Sequence, residues 1–187
     1  MKLFLVRHGE TEENVAGILT GQLQGTLTEE GKAQARETAI KLKGTSFAHI
    51  YSSDLKRCRD TAEIIKESFP DTQLTFSQEL RERNMGILHG QIAQSIDWDS
   101  VPGEGDEKKP ENGESVAELK TRVIGFIKQL YSRHADETIL LVTHYGWIKY
   151  AISLIAGILP GDVAMIGNAH VIEIEVNEDL KGRVINL

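Results

Sequence analysis

The chain opens with an apolar run, residues 3–6, that passes directly into the polar tetrad Arg7-His8-Gly9-Glu10. Four consecutive aliphatic and aromatic residues are typical of a central strand that is buried on both faces of its sheet. Open α/β sheets place their ligand sites at the carboxyl ends of such strands. We therefore expect an α/β fold in which Arg7 and His8 lie at the ligand-binding edge.

Strand and helix patterns alternate along the rest of the chain, which favours a three-layer α/β sandwich with a mainly parallel sheet between helices. Strands are predicted at residues 2–6, 49–51, 73–76, 138–143, 170–176 and 183–187. Helices are predicted after the N-cap residues Thr28 and Ser115, after the segment 52–54, and over residues 147–155.

The length of 187 residues fits a single domain, residues 1–187. One segment, residues 92–112, is acidic and lacks a clear period; it contains Pro102, Gly103 and Gly105 in close succession. Its pattern predicts a short flap or insertion, and a simple disordered loop is an equally good interpretation.

The net charge of −7 argues against a nucleic-acid surface and requires local positive charge for any anionic substrate. No apolar stretch reaches membrane-spanning length and no signal-peptide pattern is visible, so we expect a cytoplasmic protein without a membrane partner. The single cysteine, Cys58, excludes a disulfide framework and a cysteine-based zinc cluster, and is expected to be a small buried side chain.

A second histidine, His144, repeats the context of His8, since it follows an apolar strand and precedes a helix. Adjacent parallel strands would bring both rings to one crevice. The helix that opens near Gly146 would direct free N–H groups at the same place, as an anion site. Arg57 is expected in the first turn of a helix near this edge, where a cation is unfavourable to the helix dipole. This placement suits a ligand contact, and a solvated surface arginine is the other interpretation.

The order of seven sequence pieces resembles the histidine phosphatase superfamily, which includes the cofactor-dependent phosphoglycerate mutases. The resemblance spans residues 7–168. Its pieces are Arg7-His8-Gly9-Glu10-Thr11 with Asn14, Leu27-Thr28-Glu29-Glu30-Gly31, Ser53-Asp54-Leu55-Lys56-Arg57, Thr61-Ala62, Glu82 with Gly86 and Gly90, Gly113-Glu114-Ser115, and His144 with Gly146.

The resemblance implies a role for each polar residue of the crevice. His8 would be the nucleophile that becomes phosphohistidine, and Glu82 would donate a proton to the leaving oxygen. The remaining implied contacts with the phosphoryl group and the substrate come from Arg7, Arg57, His144, Asn14, Thr20 and Gly21.

These residue types suit phosphoryl transfer, which depends on positioning and charge stabilisation. Two guanidinium groups match phosphate oxygens, and a protonated His144 would add a third cation. His8 must be neutral on its attacking nitrogen, so its other nitrogen should donate to a backbone carbonyl. A metal site made of His8, His144 and Glu82 is disfavoured because the neighbouring arginines would repel the ion. We expect no metal and no other cofactor.

The other histidines are expected to be structural, namely His49, His134 and His170. His89 lies close to Glu82 in the sequence, and both a structural role and a role in the site remain open for it.

Three departures from the family pattern bear on the reaction. Tyr145 stands where many members have glycine, and its ring is expected across the pocket mouth. Met85 stands where the mutases place a tyrosine, and the acidic segment 92–112 replaces a longer basic insertion that holds the substrate carboxylate. Carboxylates in this segment, among them Asp97 and Asp106, would repel phosphoglycerate.

The resemblance and these departures together predict a phosphomonoesterase acting on a small phosphorylated metabolite, similar to the alpha-ribazole phosphatases. A phosphoglycerate mutase is the alternative enzyme. A catalytically idle module that binds phosphorylated ligands is the alternative of another class, although such a module would be expected to have lost His8 or Glu82. A homodimer is possible.

Overall fold

The computed structural model describes residues 1–186 and has one six-stranded sheet at its centre. Its strands are β1 (Lys2–Arg7), β2 (His49–Ser53), β3 (Leu74–Ser77), β4 (Thr138–Thr143), β5 (Val171–Val176) and β6 (Gly182–Asn186). Their spatial order is β3-β2-β4-β1-β5-β6. The first four in this order are parallel, whereas β5 is antiparallel to β1 and β6 is antiparallel to β5. The last residue of the strand predicted at 183–187 lies outside the described residues.

Helices cover both faces of this sheet: α1 (Glu12–Val15), α2 (Glu29–Lys41), α3 (Lys56–Lys66), α4 (Val116–His134) and α5 (Tyr145–Ala156). On one face, Leu3, Leu5 and Leu141 pack against α4 and α5. On the other face, Val6 and Val142 pack against α2 and α3. The three-layer, mainly parallel α/β sandwich is therefore confirmed, and the central strands are apolar because both of their faces are covered.

The helix starts were predicted correctly where a side chain caps the helix. Thr28 accepts a hydrogen bond from the Gly31 N–H, and Ser115 forms a capping box with Glu118. Two predicted starts are wrong. Helix α3 begins after Leu55, which makes no side-chain cap, since Ser53 is still the last residue of β2. Helix α5 begins at Tyr145, two residues earlier than predicted.

The segment 92–112 forms two short 3-10 turns, at Ala93–Ser95 and Gly105–Glu107. Ile96 and Val101 are buried within it. Asp106 makes an ion pair with Lys120 of α4, which ties the segment to the helical layer. Apolar burial and the ion pair favour the flap or insertion over the simple disordered loop.

None of the helices in residues 1–186 combines the length and the apolar character that crossing a bilayer requires.

Candidate active site

A cavity of about 290 Å³ lies at the carboxyl ends of β1 and β4, where the sequence places the two histidine-bearing strand ends. Eight of the nine residues predicted for the site line it: Arg7, His8, Asn14, Thr20, Gly21, Arg57, Glu82 and Tyr145. Its remaining lining residues are Leu19, Arg83, Met85, Leu119, Gly146, Lys149 and Tyr150. Parallel pairing of β1 with β4 brings together residues that are more than 130 positions apart in the chain.

His8 is held in a single tautomer. Its Nδ1 donates to the Gly9 carbonyl at 2.8 Å, so the lone pair resides on Nε2, as expected for a nucleophile. Burial of the ring, followed by the nearby charge of Arg57, lowers the pKa of His8 well below its usual value. The imidazole is therefore neutral at physiological pH and presents an unprotonated nitrogen.

Arg57 is the central cation of the cavity. Its Nε donates to His8 Nε2 at 3.1 Å, and its Nη2 donates to the Gly21 carbonyl at 2.7 Å. The carbonyls of Leu23 and Gln24 accept further hydrogen bonds from Nη1. The side chain is only 2% exposed, so the interpretation as a solvated surface arginine is wrong. The loop of residues 21–24 provides all of these carbonyl acceptors.

Arg7 is the second cation beside the nucleophile. Its Nη1 donates to the Ile166 carbonyl at 2.7 Å. Its Nε is buried and has no hydrogen-bond partner within residues 1–186. A buried donor without a partner is costly in a folded protein. In a cavity of this charge, an anionic oxygen would satisfy it.

His144 is the one predicted site residue that does not line the cavity. Its ring is fully buried, and its Nδ1 accepts a hydrogen bond from Arg57 Nη2 at 2.9 Å, while Nε2 donates to Ser53 Oγ at 2.9 Å. Burial, followed by the charge of Arg57, lowers the pKa of His144 well below its usual value. In this structure His144 is a hydrogen-bond acceptor that orients Arg57, and its role as a third cation stays a prediction.

Glu82 enters the cavity between two backbone donors. Its Oε1 accepts from the Arg83 N–H at 2.8 Å, and its Oε2 accepts from the Gly146 N–H at 3.0 Å. A Cβ atom at position 146 would lie 2.4 Å from Oε1, so any other residue there would displace the Glu82 carboxylate. The first turn of α5 was expected to present free N–H groups to an anion, but at Gly146 the donor already serves Glu82.

The predicted substrate-side residues border the cavity around this centre. The Oδ1 of Asn14 accepts from Asn168 Nδ2 at 3.2 Å and from the Thr11 N–H, which turns its amide nitrogen away from these donors. Thr20 is buried, and its hydroxyl donates to the Ile18 carbonyl. The Tyr145 ring centre lies 5.7 Å from the guanidinium carbon of Arg7, which agrees with the expected position at the pocket mouth.

Sequence reasoning missed two cations of the lining, Arg83 and Lys149. Arg83 is anchored by the Glu114 carbonyl at 2.8 Å. Lys149 makes no ion pair within residues 1–186, and its ammonium nitrogen is 5.9 Å from the ring centre of Tyr145. The adjacency of Arg83 to Glu82 and the i,i+4 spacing of Tyr145 and Lys149 were the only sequence signals for them.

The repulsion expected from the acidic segment 92–112 would have to act from outside the cavity lining. None of its residues is among the described residues that line the cavity. Asp99 lies 3.6 Å from the ammonium group of Lys108, and Asp106 pairs with Lys120. These carboxylates are compensated outside the cavity, which itself is lined by four cationic side chains and a single carboxylate, counted within residues 1–186.

The remaining histidines and Cys58 differ in whether they contact the cavity region. His49 stacks on Tyr51, and the Tyr51 hydroxyl is 3.0 Å from His134 Nε2, in a cluster that contributes nothing to the cavity lining described here. His170 is exposed. Cys58 is fully buried, and burial raises the pKa of its thiol, so it behaves as the expected small buried side chain. His89, by contrast, contacts a loop that borders the cavity.

Within residues 1–186, no group of three or more histidine, cysteine or acidic side chains is arranged to hold a metal ion.

Comparison with known proteins identifies relatives over the whole described chain. The family model of the histidine phosphatase superfamily (branch 1) matches residues 3–184. The curated Escherichia coli K12 protein named "Probable phosphoglycerate mutase GpmB" is 36% identical over 165 residues, which are 84% of this chain and 76% of that protein.

Solved structures share the fold over nearly all of their length. YhfR of Bacillus stearothermophilus is 26% identical, with a TM-score of 0.88 over 99% of this chain and 95% of that one. The mycobacterial glucosyl-3-phosphoglycerate phosphatase in complex with VO3 is 28% identical, with a TM-score of 0.87 over 100% and 98%. The alpha-ribazole phosphatase of Shigella flexneri is 26% identical, with a TM-score of 0.85 over 100% and 96%.

Proposed function

The chain belongs to the histidine phosphatase superfamily, and from that premise we propose that it hydrolyses a small phosphate monoester through a phosphohistidine formed at His8. The observation that carries this proposal is the His8 ring. Its Nδ1 is bound to the Gly9 carbonyl, and its Nε2 lone pair points to Arg57 in a cavity of excess positive charge.

The reaction follows in two displacements. Nε2 of His8 attacks phosphorus, an N–P bond forms, and the bond between phosphorus and the ester oxygen breaks. The carboxyl group of Glu82 gives its proton to the departing oxygen. Water then attacks the phosphohistidine, Glu82 takes a proton from it, and the N–P bond breaks to release phosphate and restore the lone pair. Arg7 and Arg57 stabilise the charge on the phosphoryl oxygens in both steps.

The deciding experiment combines a variant with a chelator. We expect His8→Ala to abolish phosphate release from p-nitrophenyl phosphate, because the variant lacks the nucleophile. Excess EDTA should leave the wild-type rate unchanged, since the proposed steps need no metal. His170→Gln is the matched control, because it removes an exposed histidine. A rate that disappears with EDTA and returns with a divalent cation would overturn the proposal.

Isomerisation of phosphoglycerate, the reaction of a mutase, is the second candidate function. It is favoured by the similarity to GpmB and by the cations Arg83 and Lys149 in the cavity lining. The position of segment 92–112 argues for hydrolysis instead. A mutase must keep its intermediate from water, whereas this segment contributes no residue to the cavity lining described here.

Products formed from 3-phosphoglycerate separate these two candidates. With a trace of 2,3-bisphosphoglycerate present, we expect inorganic phosphate to accumulate faster than 2-phosphoglycerate. Isomerisation that outruns phosphate release would establish the mutase. Tight binding of phosphate esters without any turnover would instead establish the idle binding module.

A further inference from the structure

His89 connects two chain segments on either side of the cavity. Its Nε2 accepts hydrogen bonds from the Gln22 N–H and from the Met85 N–H, both at 3.0 Å. A nitrogen that accepts from two N–H groups cannot carry a proton itself, so the ring is neutral with its proton on Nδ1. The lone pair of His89 thus joins the loop of residues 21–24 to the segment that carries Glu82.

The ring also packs closely against Gly21. A Cβ atom at position 21 would lie 2.4 Å from the Nε2 and Cδ2 atoms of His89, and Gly21 has a φ of +48°. Only glycine combines this left-handed backbone with so close an approach. The carbonyl of the same residue accepts from Arg57 Nη2 at 2.7 Å. His89 therefore contacts the residue that orients the central cation.

Other contacts hold the two ends of the loop: the Leu23 N–H donates to the Thr20 carbonyl at 2.9 Å, and the Gln24 carbonyl accepts from the Arg57 N–H at 3.2 Å. The Gln22 N–H, between these ends, is held by His89. The Leu19 N–H donates to the Gln91 carbonyl at 2.8 Å, and the Gly90 N–H donates to the Leu19 carbonyl at 3.0 Å. The Gln22 side chain adds one bond, from Nε2 to the Glu82 carbonyl at 3.0 Å. Loss of the His89 acceptor should therefore loosen Gly21 and Gln22 without unfolding the chain.

We propose that His89 is a positioning residue, whose neutral ring fixes the loop that orients Arg57 and whose protonation releases this loop. This inference rests on the proposed hydrolysis at His8. A protonated Nε2 would face two N–H donors and have nothing to accept with, so both hydrogen bonds would be lost.

The charges around His89 favour the neutral ring. Burial, followed by the charge of Arg57, lowers the pKa of His89. Glu82, on the segment that His89 bridges, directs its carboxylate to the N–H groups of Arg83 and Gly146. The side chain of Arg83 is bound to the carbonyls of Glu114 and Lys108. The loop of residues 21–24 carries no titratable side chain.

Two variants of His89 distinguish a positioning role from the mere filling of space. In His89→Gln an amide oxygen can take the place of Nε2 as an acceptor that does not titrate, whereas His89→Leu fills the space without an acceptor. At pH 7.5 we expect kcat/KM for p-nitrophenyl phosphate to fall about ten-fold in His89→Leu and less than about three-fold in His89→Gln. Between pH 7.5 and 5.5, the wild type should lose more of its activity than His89→Gln does.

The control variant His170→Gln should keep the wild-type pH profile. Identical pH profiles of wild type and His89→Gln, or equal losses in both His89 variants at pH 7.5, would overturn the proposal. An NMR titration provides a readout independent of turnover: the amide signals of Gln22 and Met85 should shift with one common midpoint below pH 6.5 in the wild type and not in His89→Gln. If no ester is hydrolysed but these amides titrate, the proposed function fails and the positioning contact stands. Amides that do not titrate would disprove the contact itself.

Discussion

Single side chains of this cavity are specified by their hydrogen-bond partners more than by their own chemistry. The Gly9 carbonyl fixes the tautomer of His8, and two backbone N–H groups fix Glu82. The sequence predicted the first of these arrangements, because any nucleophilic imidazole needs an acceptor for its second nitrogen. The second depends on Gly146 lying against Glu82, a contact between residues 64 positions apart, and no local pattern encodes it.

At the scale of single residues, Glu82→Gln tests the proposed role of Glu82 as proton donor. The variant should lose about two to four orders of magnitude in kcat on glycerol 3-phosphate, whose alkoxide leaves poorly without a proton. On p-nitrophenyl phosphate the loss should be smaller, about ten-fold or less, because that leaving group needs no acid. Steady-state kinetics on both esters measures the difference. Glu79→Gln, an exposed neighbour with the same charge change, is the control. Equal losses on the two esters would move the acid role to another residue.

At the scale of elements, the strongly patterned pieces were predictable and the cavity rim was not. Strands β1 and β4 follow from their continuous apolar runs, and α4 follows from its capping box. The start of α3 was misplaced because Ser53, a good capping residue by type, instead serves His144 and the Leu55 N–H. Short α1 was missed altogether, since four residues carry no periodicity.

Helix α5 carries Lys149, a cation of the cavity lining that the hydrophobic periodicity of the helix does not predict. Its apolar residues identify the buried face, but the sequence does not say that Lys149 and Tyr150 border the cavity. The position of these two side chains depends on how α5 crosses the end of β1.

Lys149→Met tests this use. The cavity has four cations and a single carboxyl group, that of Glu82, so a bound phosphate dianion leaves positive charge uncompensated. We expect kcat/KM for 3-phosphoglycerate to fall about three- to five-fold, the range of a partly exposed charge pair, and to fall less at high salt. Glycerol 3-phosphate, which has no carboxylate, should be affected less than two-fold by the same estimate. The exposed residue Lys128 provides the control variant Lys128→Met. Equal effects on both esters would show that Lys149 does not read the carboxylate.

At the scale of the whole molecule, two buried histidines are neutral in the folded protein. Their burial makes the free energy of unfolding depend on pH. His8 and His144 are both buried, and burial, together with Arg57, lowers the pKa of each well below 6.5. As the pH falls below 6.5, the unfolded chain binds protons that the folded chain does not bind. The free energy of unfolding must therefore decrease on the acid side, by about 1.4 kcal/mol per pH unit for each such histidine.

Urea unfolding in buffers without phosphate measures this coupling. Between pH 6 and pH 5, the two rings together should lower the free energy of unfolding by about 2 to 3 kcal/mol. His170→Gln should show the same slope, since His170 is exposed. An unfolding free energy that stays constant from pH 7 to pH 5 would show that the two rings are not held neutral.

The hydrogen bond between Arg57 and His8 has a consequence for which molecules can react. With the guanidinium bound to Nε2, the lone pair of the proposed nucleophile is engaged by the same group that would stabilise the phosphoryl oxygens. An electrophile uncovers it only by offering the guanidinium something better, namely anionic oxygens. Carboxylic esters and other uncharged acyl donors bring no such oxygens and meet a nitrogen whose electrons are already engaged. On the proposed mechanism, electrophiles are therefore selected by their charge before any bond forms.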